Sequence, residues 1–224
     1  MSTEICISLK VHQPVTDFSK ALLGKHLLIF DFDGTLADTS PLHAAAFNDV
    51  LAPLGLKVDY PAIAGLRTRD AFAACFATAG VIVPETQLQQ LTLAKQARVR
   101  TLIYTGLQPL PGVDEFLRWA QPRFRLALYS SGSHGTVTLA MEKLGYTGWF
   151  DPILCAENVI HSKPHPEGFL KVLALACIGA ERALVFEDSD AGIEAAKRAG
   201  LATSDVRTAP FEKFQPLQDM TYGH

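Results

Sequence analysis

The sequence lacks the features of a membrane protein, a secreted protein or a nucleic-acid-binding protein. No apolar run approaches the ~20 residues that a membrane-spanning helix needs. The N-terminus has no basic segment ahead of a long apolar run, which argues against a secretory signal. The net charge of the 224 residues is −3, so there is no excess of Lys and Arg of the kind that a nucleic-acid partner requires. We therefore expect a cytoplasmic protein that binds neither nucleic acid nor a membrane.

Cysteine is scarce and scattered, and neither an internal repeat nor a low-complexity tract is visible. The four cysteines form no CxxC pair, so the sequence predicts reduced thiols rather than a disulfide framework or a zinc site; they are Cys6, Cys75, Cys155 and Cys177. With 48% hydrophobic and 19% charged residues, the composition is that of an ordinary globular protein. The length allows a core domain that carries a smaller one.

What the sequence does contain is an alternation of short apolar runs with longer helical patterns. Each run is too short for a buried helix and is typical of a central strand in a parallel sheet. The predicted strands are 27–30, 126–129, 153–156 and 183–186. The predicted helices are 40–51, with Ser40 as N-cap and Pro41 at the first helical position, then 84–104, 112–119, 166–176 and 190–198. This order predicts an α/β protein with a Rossmann-like, doubly wound parallel sheet.

One gap does not fit a single α/β layer. Almost a hundred residues separate the first strand from the second, and their pattern is nearly all helical. We interpret residues 43–108 as an inserted all-helical domain, and residues 25–42 with 109–224 as the α/β core. Residues 1–24 form an N-terminal extension, in which the alternating polarity of residues 5–9 is compatible with an edge strand.

Polar residues follow the predicted strands at the points where the strands end. They are Asp31 and Asp33 after the first strand, Ser130, Ser131 and Gly132 after the second, Lys163 before the helix at 166, and Glu187 and Asp188 after the last strand. Ligands of open α/β sheets bind at the carboxyl ends of the strands. Crowded carboxylates repel unless a cation lies between them, and hard oxygen ligands suit Mg²⁺.

These residue types suffice for phosphoryl transfer, which depends mainly on positioning and charge stabilisation. Asp31 can attack phosphorus, and Asp33, two residues further on, can act beside it as acid and base. Ser130 can donate to phosphate oxygens with the help of backbone N–H groups, and Lys163 can neutralise the phosphoryl charge. Taken alone, Asp-x-Asp-Gly is equally typical of a turn, and Glu187-Asp188 of a helix cap.

Four motifs in order carry a family resemblance. Asp31-Phe32-Asp33-Gly34-Thr35-Leu36 resembles the first motif of the haloacid dehalogenase superfamily, and Ser130, Lys163-Pro164 and Glu187-Asp188 match the second, third and fourth. The resemblance covers about residues 27–206 and is closest to the beta-phosphoglucomutase-like group, which carries a helical cap after the first motif. It implies Mg²⁺ held by Asp31, the Asp33 carbonyl and Asp188, with Glu187 nearby. It also implies a mobile cap that closes over the substrate.

The same resemblance suggests substrate-contacting residues in the cap. His43 corresponds to a cap-hinge histidine, Lys95 to a substrate-contacting lysine, and Arg67 or Arg69 to the stretch that contacts substrate. A helix-face histidine and solvated surface residues are the alternatives. The mutase pattern has an arginine one residue after Arg67, where this chain has Thr68.

That departure favours a hydrolase. We expect a Mg²⁺-dependent phosphatase acting on a small phosphorylated metabolite, a sugar or polyol phosphate, through an aspartyl-phosphate. A sugar phosphomutase is the alternative, and a catalytically silent binding or regulatory domain is a third hypothesis. We expect a monomer or a weak homodimer.

Overall fold

The computed structural model describes residues 18–216, and its sheet follows the apolar runs closely. The strands are β1 (Leu27–Phe30), β2 (Arg125–Tyr129), β3 (Ile153–Leu154), β4 (Ala183–Glu187) and β5 (Ala202–Asp205). The bounds predicted for β1 are confirmed, whereas the third strand is two residues shorter than predicted. β5 is not among the predictions because its sequence, Ala-Thr-Ser-Asp, contains no apolar run.

The strands form one parallel sheet in the order β3-β2-β1-β4-β5. β1 pairs with β2 on one side and with β4 on the other, so Phe30 lies in register with Leu128 and Phe186. The chain builds one half of the sheet outward from β1 and then returns to build the other half. The predicted α/β class and doubly wound sheet are confirmed.

Helices cover both faces of the sheet. The α-helices are α1 (Ser40–Leu51), α2 (Tyr60–Ile63), α3 (Thr68–Thr78), α4 (Glu85–Gly106), α5 (Val113–Ala120), α6 (His134–Leu144), α7 (Glu167–Ala176) and α8 (Asp190–Arg198). Alternate residues of β1 separate the two faces: Leu28 and Phe30 pack with α5 and α6, and Leu27 and Ile29 with α7 and α8. Burial on both faces explains the unbroken apolar runs.

Two helix predictions need correction. Ser40 is the first residue of α1 rather than its N-cap, a position that Thr39 occupies without a side-chain capping bond. α6 is missing from the predictions because Gly132 and Gly135 interrupt the pattern at its start. Its buried residues nevertheless have helical spacing; they are Thr136, Val137, Ala140 and Met141.

Residues 40–106, from α1 to α4, form a helical insertion with a hydrophobic cluster of its own. The cluster is centred on Phe47, Phe72 and Phe76. The C-terminal half of α4 instead contributes Val99 and Ile103 to the main core. The two connections of the insertion meet where Ala37 bridges to Pro109.

The described part of the N-terminal extension packs into the α/β core. Phe18 is buried and stacks on Phe214, with edge contacts to Phe116, Phe186 and Phe211. The edge strand proposed for residues 5–9 lies outside the described residues. Within residues 18–216, no helix combines the length and the apolar character that crossing a bilayer requires.

Candidate active site

The sheet topology brings two acidic strand ends together. β1 and β4 are neighbours, yet the chain leaves β1 toward β2 and β3 before it reaches β4. The crevice at such a reversal of strand order is where open α/β sheets bind ligands. Asp31 follows β1, and Glu187 ends β4 with Asp188 directly after it. The predicted meeting of these acids is thus a consequence of the strand order.

Lys163 connects two of these acids from beneath the crevice. Its side chain is only 2% exposed, and Nζ donates to Asp31 Oδ1 at 2.6 Å and to Glu187 Oε1 at 2.5 Å. A third bond runs to the carbonyl of Tyr129 at 3.2 Å. Burial opposes the charged form, but Asp31 and Glu187 outweigh it and hold the pKa of Lys163 above its usual range. Lys163 is therefore a fixed cation beside Asp31.

Glu187 is fully buried, and protein donors occupy both of its oxygens. Oε2 accepts from the backbone N–H groups of Asp188 and Ser189 and from the Ser189 hydroxyl, each at 2.9 Å. Oε1 accepts from Lys163. Glu187 therefore shapes the turn that presents Asp188 and holds Lys163 in place.

The acids nevertheless outnumber the lysine. One carboxylate oxygen from each of Asp31, Glu187 and Asp188 lies within 4.8 Å of the others. Burial, despite Lys163, and then the charge of Glu187 raise the pKa of Asp31. Burial and Glu187 likewise raise the pKa of Asp188 to about 6. Three carboxylates against one ammonium leave a deficit of positive charge, and hard oxygen donors are the set that Mg²⁺ prefers. The residues present fit that ion.

Gly34 makes room for Asp188. It has φ +83°, and a Cβ atom at this position would lie 2.1 Å from Asp188 Oδ2. The other oxygen, Oδ1, accepts from the Thr35 hydroxyl at 3.2 Å. The glycine of the Asp-x-Asp-Gly sequence therefore permits both the turn and the close approach of the second acidic loop.

Asp33 faces the helical insertion. His43 Nε2 of α1 lies 3.2 Å from Asp33 Oδ1, a close contact rather than a well-aligned hydrogen bond. On the other side of the ring, Lys95 Nζ donates to His43 Nδ1 at 2.6 Å. Burial alone would raise the pKa of Asp33, but His43, with support from Thr39 and Lys95, holds it below its usual range.

Lys95 is 2% exposed and lies over the Phe47 ring, with Nζ 4.5 Å from the ring centroid. The alternative of a solvated helix face is therefore wrong for this residue. Asp33, His43 and Lys95 instead form a continuous polar chain from the α/β core into the insertion.

The loop after β2 reaches the site through its backbone. Ser130 Oγ is fully buried, accepts from the Gly132 N–H at 2.9 Å and lies 3.4 Å from Asp33 Oδ2. It does not line the cavity, in contrast to Ser131 and Gly132, which do. The Ser131 hydroxyl is buried and has no hydrogen-bond partner in the described part of the chain. The Gly132 N–H is already bonded to Ser130, so the polar group that this loop leaves available at the crevice is the Ser131 hydroxyl.

A cavity of about 250 Å³ separates the crevice from the insertion. Asp31, Asp33 and Asp188 lie at its floor, and His43 and Lys95 at its side. Sequence reasoning missed further lining residues with polar side chains: Ser40, Tyr60, Ser189, Asp190 and Arg207. Arg207 follows β5. Because ligands bind at the carboxyl ends of strands, recognition of that polar strand from the sequence would also have identified Arg207 as a candidate.

Arg67 does not line this cavity. Its guanidinium leaves the insertion and donates to the carbonyls of Val159 at 2.5 Å and Ile160 at 3.2 Å. Arg69 forms a two-pronged ion pair with Glu85 inside the insertion, at 3.0 and 2.6 Å. Arg67 was expected to contact substrate, but its side chain points toward the core loop of Val159 and Ile160 and away from the cavity. Thr68, the next residue, lines the cavity instead.

Comparison with known proteins defines the class. Residues 28–206 match the haloacid dehalogenase-like hydrolase family. The chain is 32% identical over 180 residues to the fructose-1-phosphate phosphatase YqaB of Escherichia coli, covering 80% of this chain and 95% of that protein. It is 30% identical over 178 residues to a phosphorylated carbohydrates phosphatase of Thermotoga maritima, covering 78% and 81%.

A solved structure of beta-phosphoglucomutase from Clostridium difficile shares the fold with a TM-score of 0.74 at 22% identity, covering 88% of this chain and 92% of that one. The chain belongs to the haloacid dehalogenase-like hydrolase family, and its enzyme class is that of a phosphatase.

Proposed function

We propose that this protein is a Mg²⁺-dependent phosphatase that hydrolyses a small sugar or polyol phosphate through an aspartyl-phosphate. The observation that carries the proposal is the contact of Lys163 Nζ with Asp31 Oδ1 at 2.6 Å, at the carboxyl end of the central strand and at the floor of the cavity. A fixed cation at this distance keeps the carboxylate oriented and offsets charge as a phosphoryl group arrives.

Asp31 acts as the nucleophile, and Asp33 is the acid and base. Asp31 attacks phosphorus and the bond to the leaving oxygen breaks. The negative charge of the bound phosphoryl group favours the protonated form of Asp33 against the influence of His43, and Asp33 delivers that proton to the leaving oxygen. Asp33 then takes a proton from the water that attacks the aspartyl-phosphate, which releases inorganic phosphate and restores Asp31. The Ser131 hydroxyl, which lines the cavity and has no partner within residues 18–216, donates to a phosphoryl oxygen in this proposal.

Asp31, Asp188 and the carbonyl of Asp33 would hold the Mg²⁺, which supplies charge neutralisation to the phosphoryl oxygens when bound. Glu187 supports this arrangement by fixing Lys163 and the turn of Asp188.

The helical insertion serves as a cap in this proposal. A Cβ atom on Gly65 of the insertion would lie 3.3 Å from the Ser189 side chain of the core. The backbone there approaches the core closely, as a cap excluding bulk water would. His43 and Lys95 of the insertion also contact each other and Asp33, so closure of the cap affects the surroundings of the proposed acid and base.

Water rather than a second sugar hydroxyl is the proposed acceptor. The position at which the mutase pattern has an arginine is Thr68, which lines the cavity with a short, neutral side chain. A mutase must hold a phosphorylated sugar in either of two orientations, and among the described residues the stretch 60–68 around Thr68 contributes no cationic side chain to the cavity for the second phosphate. Hydrolysis is therefore the reaction that the lining favours.

The test is phosphate release in the presence of Mg²⁺ from fructose 1-phosphate, glycerol 3-phosphate and β-glucose 1-phosphate, with glucose 6-phosphate measured in parallel for the last. We expect inorganic phosphate from fructose 1-phosphate and no accumulation of glucose 6-phosphate. Conversion of β-glucose 1-phosphate to glucose 6-phosphate without phosphate release would establish the mutase instead. Absence of turnover on every ester would support a silent binding domain.

We further propose a cytoplasmic location and a monomer or weak homodimer that acts on a small metabolite. Light scattering coupled to size-exclusion chromatography tests the assembly state.

A further inference from the structure

The charges around the cavity are distributed unevenly between its floor and its outer wall. The floor carries Asp31, Asp33 and Asp188, where phosphoryl chemistry takes place under the proposed function. The outer wall, formed by residues 60–68 of the insertion, lines the cavity with apolar side chains and with the hydroxyl-bearing Tyr60 and Thr68. A substrate whose phosphoryl group lies at the floor therefore places its alcohol part against this wall.

Among residues 18–216, the cationic Lys and Arg side chains that line the cavity are Lys95 and Arg207, and both already have partners. Lys95 Nζ contacts His43 Nδ1 at 2.6 Å, and His43 in turn contacts Asp33 at the floor. Lys95 is thereby tied to the phosphoryl end of the cavity.

Arg207 stands at the rim and is more fully compensated. It donates to both carboxylate oxygens of Asp205, from Nε at 2.9 Å and from Nη2 at 2.7 Å. Nη2 also contacts Asp190 Oδ1 at 2.8 Å. Two carboxylates around one guanidinium leave this part of the rim with an excess of negative charge, and Asp190 itself lines the cavity.

Arg67 would be the remaining candidate for an anion-binding group, and it points away. Its guanidinium is held by the carbonyls of Val159 and Ile160 on the core loop. The residue that lines the cavity beside it is Thr68, which is uncharged. Within residues 18–216, the wall that receives the alcohol part of a substrate thus offers hydroxyl groups but no cationic side chain, and the core beside it offers the carboxylate of Asp190.

We infer that the cavity selects phosphate monoesters whose alcohol part is an uncharged polyol and rejects those with a second anionic group, whether a carboxylate or another phosphate. This inference rests on the proposed phosphatase function and narrows its substrate class. Hydroxyl groups of a polyol can exchange hydrogen bonds with Tyr60, Thr68 and the free oxygen of Asp190. A second anion would lose water without gaining a cation and would approach the carboxylate of Asp190.

Matched substrate pairs test the inference through inorganic phosphate release by the wild-type enzyme with Mg²⁺. Glycerol 3-phosphate and 3-phosphoglycerate differ by a terminal CH₂OH against a carboxylate, and fructose 1-phosphate and fructose 1,6-bisphosphate by one phosphate. We expect kcat/KM to be roughly tenfold or more higher for the neutral member of each pair, since a site without a partner for a buried charge discriminates at least that strongly. Equal or higher kcat/KM for the charged members overturns the inference, because it shows that the wall does accept an anion.

The same measurements distinguish failure of the selectivity from failure of the phosphatase function. Release from charged and neutral members alike overturns the selectivity but leaves the phosphatase in place. Release from no member of either pair overturns the proposed function itself.

A charge introduced at the wall tests the assignment by gain of function. Thr68→Arg places a long cation on the wall, and Thr68→Gln is the matched control with added length but no charge. We expect Thr68→Arg to raise the ratio of kcat/KM for fructose 1,6-bisphosphate over fructose 1-phosphate roughly tenfold, and Thr68→Gln to leave that ratio near the wild-type value. Circular dichroism confirms that each variant is folded. An unchanged ratio in folded Thr68→Arg, or an equal rise in Thr68→Gln, would show that the charge of the wall does not determine the selectivity.

Discussion

The ammonium group of Lys95 lies 2.6 Å from Nδ1 of His43, with almost no access to solvent. Lys95 can only donate, so His43 accepts at Nδ1 and carries its proton on Nε2, the nitrogen that faces Asp33 at 3.2 Å. The contact thus fixes the tautomer of the histidine and aims an N–H at the proposed acid and base. It also requires a charged group to be buried, which has a measurable consequence for stability.

Replacing Lys95 with methionine is expected to stabilise the protein while weakening catalysis. Burial lowers the pKa of Lys95 from 10.5 to about 8, although Asp33 opposes the shift. At about 1.4 kcal/mol per unit, the buried charge costs about 3 kcal/mol below pH 8. The unfolded chain binds this proton more tightly than the folded protein does. The unfolding free energy of the wild type therefore increases relative to that of Lys95→Met as pH rises from about 8 to 10.5.

Thermal melts at pH 7 and at pH 10 measure this effect, with exposed Lys57→Met as the control. We expect a higher Tm for Lys95→Met at pH 7, a smaller difference at pH 10, and a kcat/KM for the best sugar phosphate at least about tenfold lower. A lower Tm than wild type at pH 7 would show that the contact with His43 outweighs the burial of the charge.

Activity is expected to depend strictly on a divalent cation. The oxygens of Asp31, Glu187 and Asp188 crowd within 4.8 Å against the single ammonium of Lys163. Dialysis against EDTA should abolish phosphate release, and Mg²⁺ should restore it. Ca²⁺ should inhibit, because its longer bonds and higher coordination number disturb the alignment of attacking and leaving groups.

A readout independent of turnover is the Tm, which Mg²⁺ should raise in the wild type but much less in Asp188→Asn. Full activity in excess EDTA would show that the crowded carboxylates do not need a divalent cation for catalysis.

Gly34→Ala is expected to damage the site more than the fold. A Cβ atom at Gly34 would collide with Asp188 Oδ2, whereas one at Gly55, which has a similar φ of +67°, meets no atom within 4 Å. Both substitutions should cost about 1 kcal/mol in backbone conformation. Gly34→Ala alone should also lower kcat by about a hundredfold or more and weaken the response to Mg²⁺. Similar kcat values for the two variants would mean that Asp188 moves aside without consequence.

Arg67→Ala is expected to loosen the insertion rather than remove a substrate contact. Arg67 links the insertion to the carbonyls of Val159 and Ile160, whereas Arg69 pairs with Glu85 inside the insertion, so Arg69→Ala serves as the control. We expect Arg67→Ala to raise KM for a good sugar phosphate about three- to tenfold, with faster amide hydrogen exchange in residues 60–70. Hydrolysis of p-nitrophenyl phosphate should change little. If Arg67→Ala keeps the wild-type KM and the wild-type rates of amide exchange, the contacts of Arg67 with Val159 and Ile160 do not hold the insertion in place.

The sequence predicted the floor of the site better than its walls, for a physical reason. Asp31, Asp188 and Lys163 are brought together by strand ends and loops whose order follows from apolar runs, so their proximity is implied by topology. Tyr60 lines the cavity because of the way in which the insertion packs over the core, and Arg207 because it follows a polar edge strand. No local sequence pattern predicts either feature. The direction of the Arg67 side chain is decided by tertiary contacts alone.

The central claim is that a phosphoryl group passes through Asp31, and the most direct measurement is to trap it there. The enzyme is mixed with Mg²⁺ and fructose 1-phosphate, quenched in acid within the first turnovers, digested, and mapped by mass spectrometry. The account predicts the added mass of one phosphoryl group on the peptide that contains Asp31, its removal by hydroxylamine, and its absence in Asp31→Asn. It also predicts that Asp31→Asn loses at least about a thousandfold in kcat while Asp38→Asn, an exposed acid in the same loop, keeps its label and activity. A phosphoryl group on any other residue, or steady turnover by folded Asp31→Asn, would contradict the account.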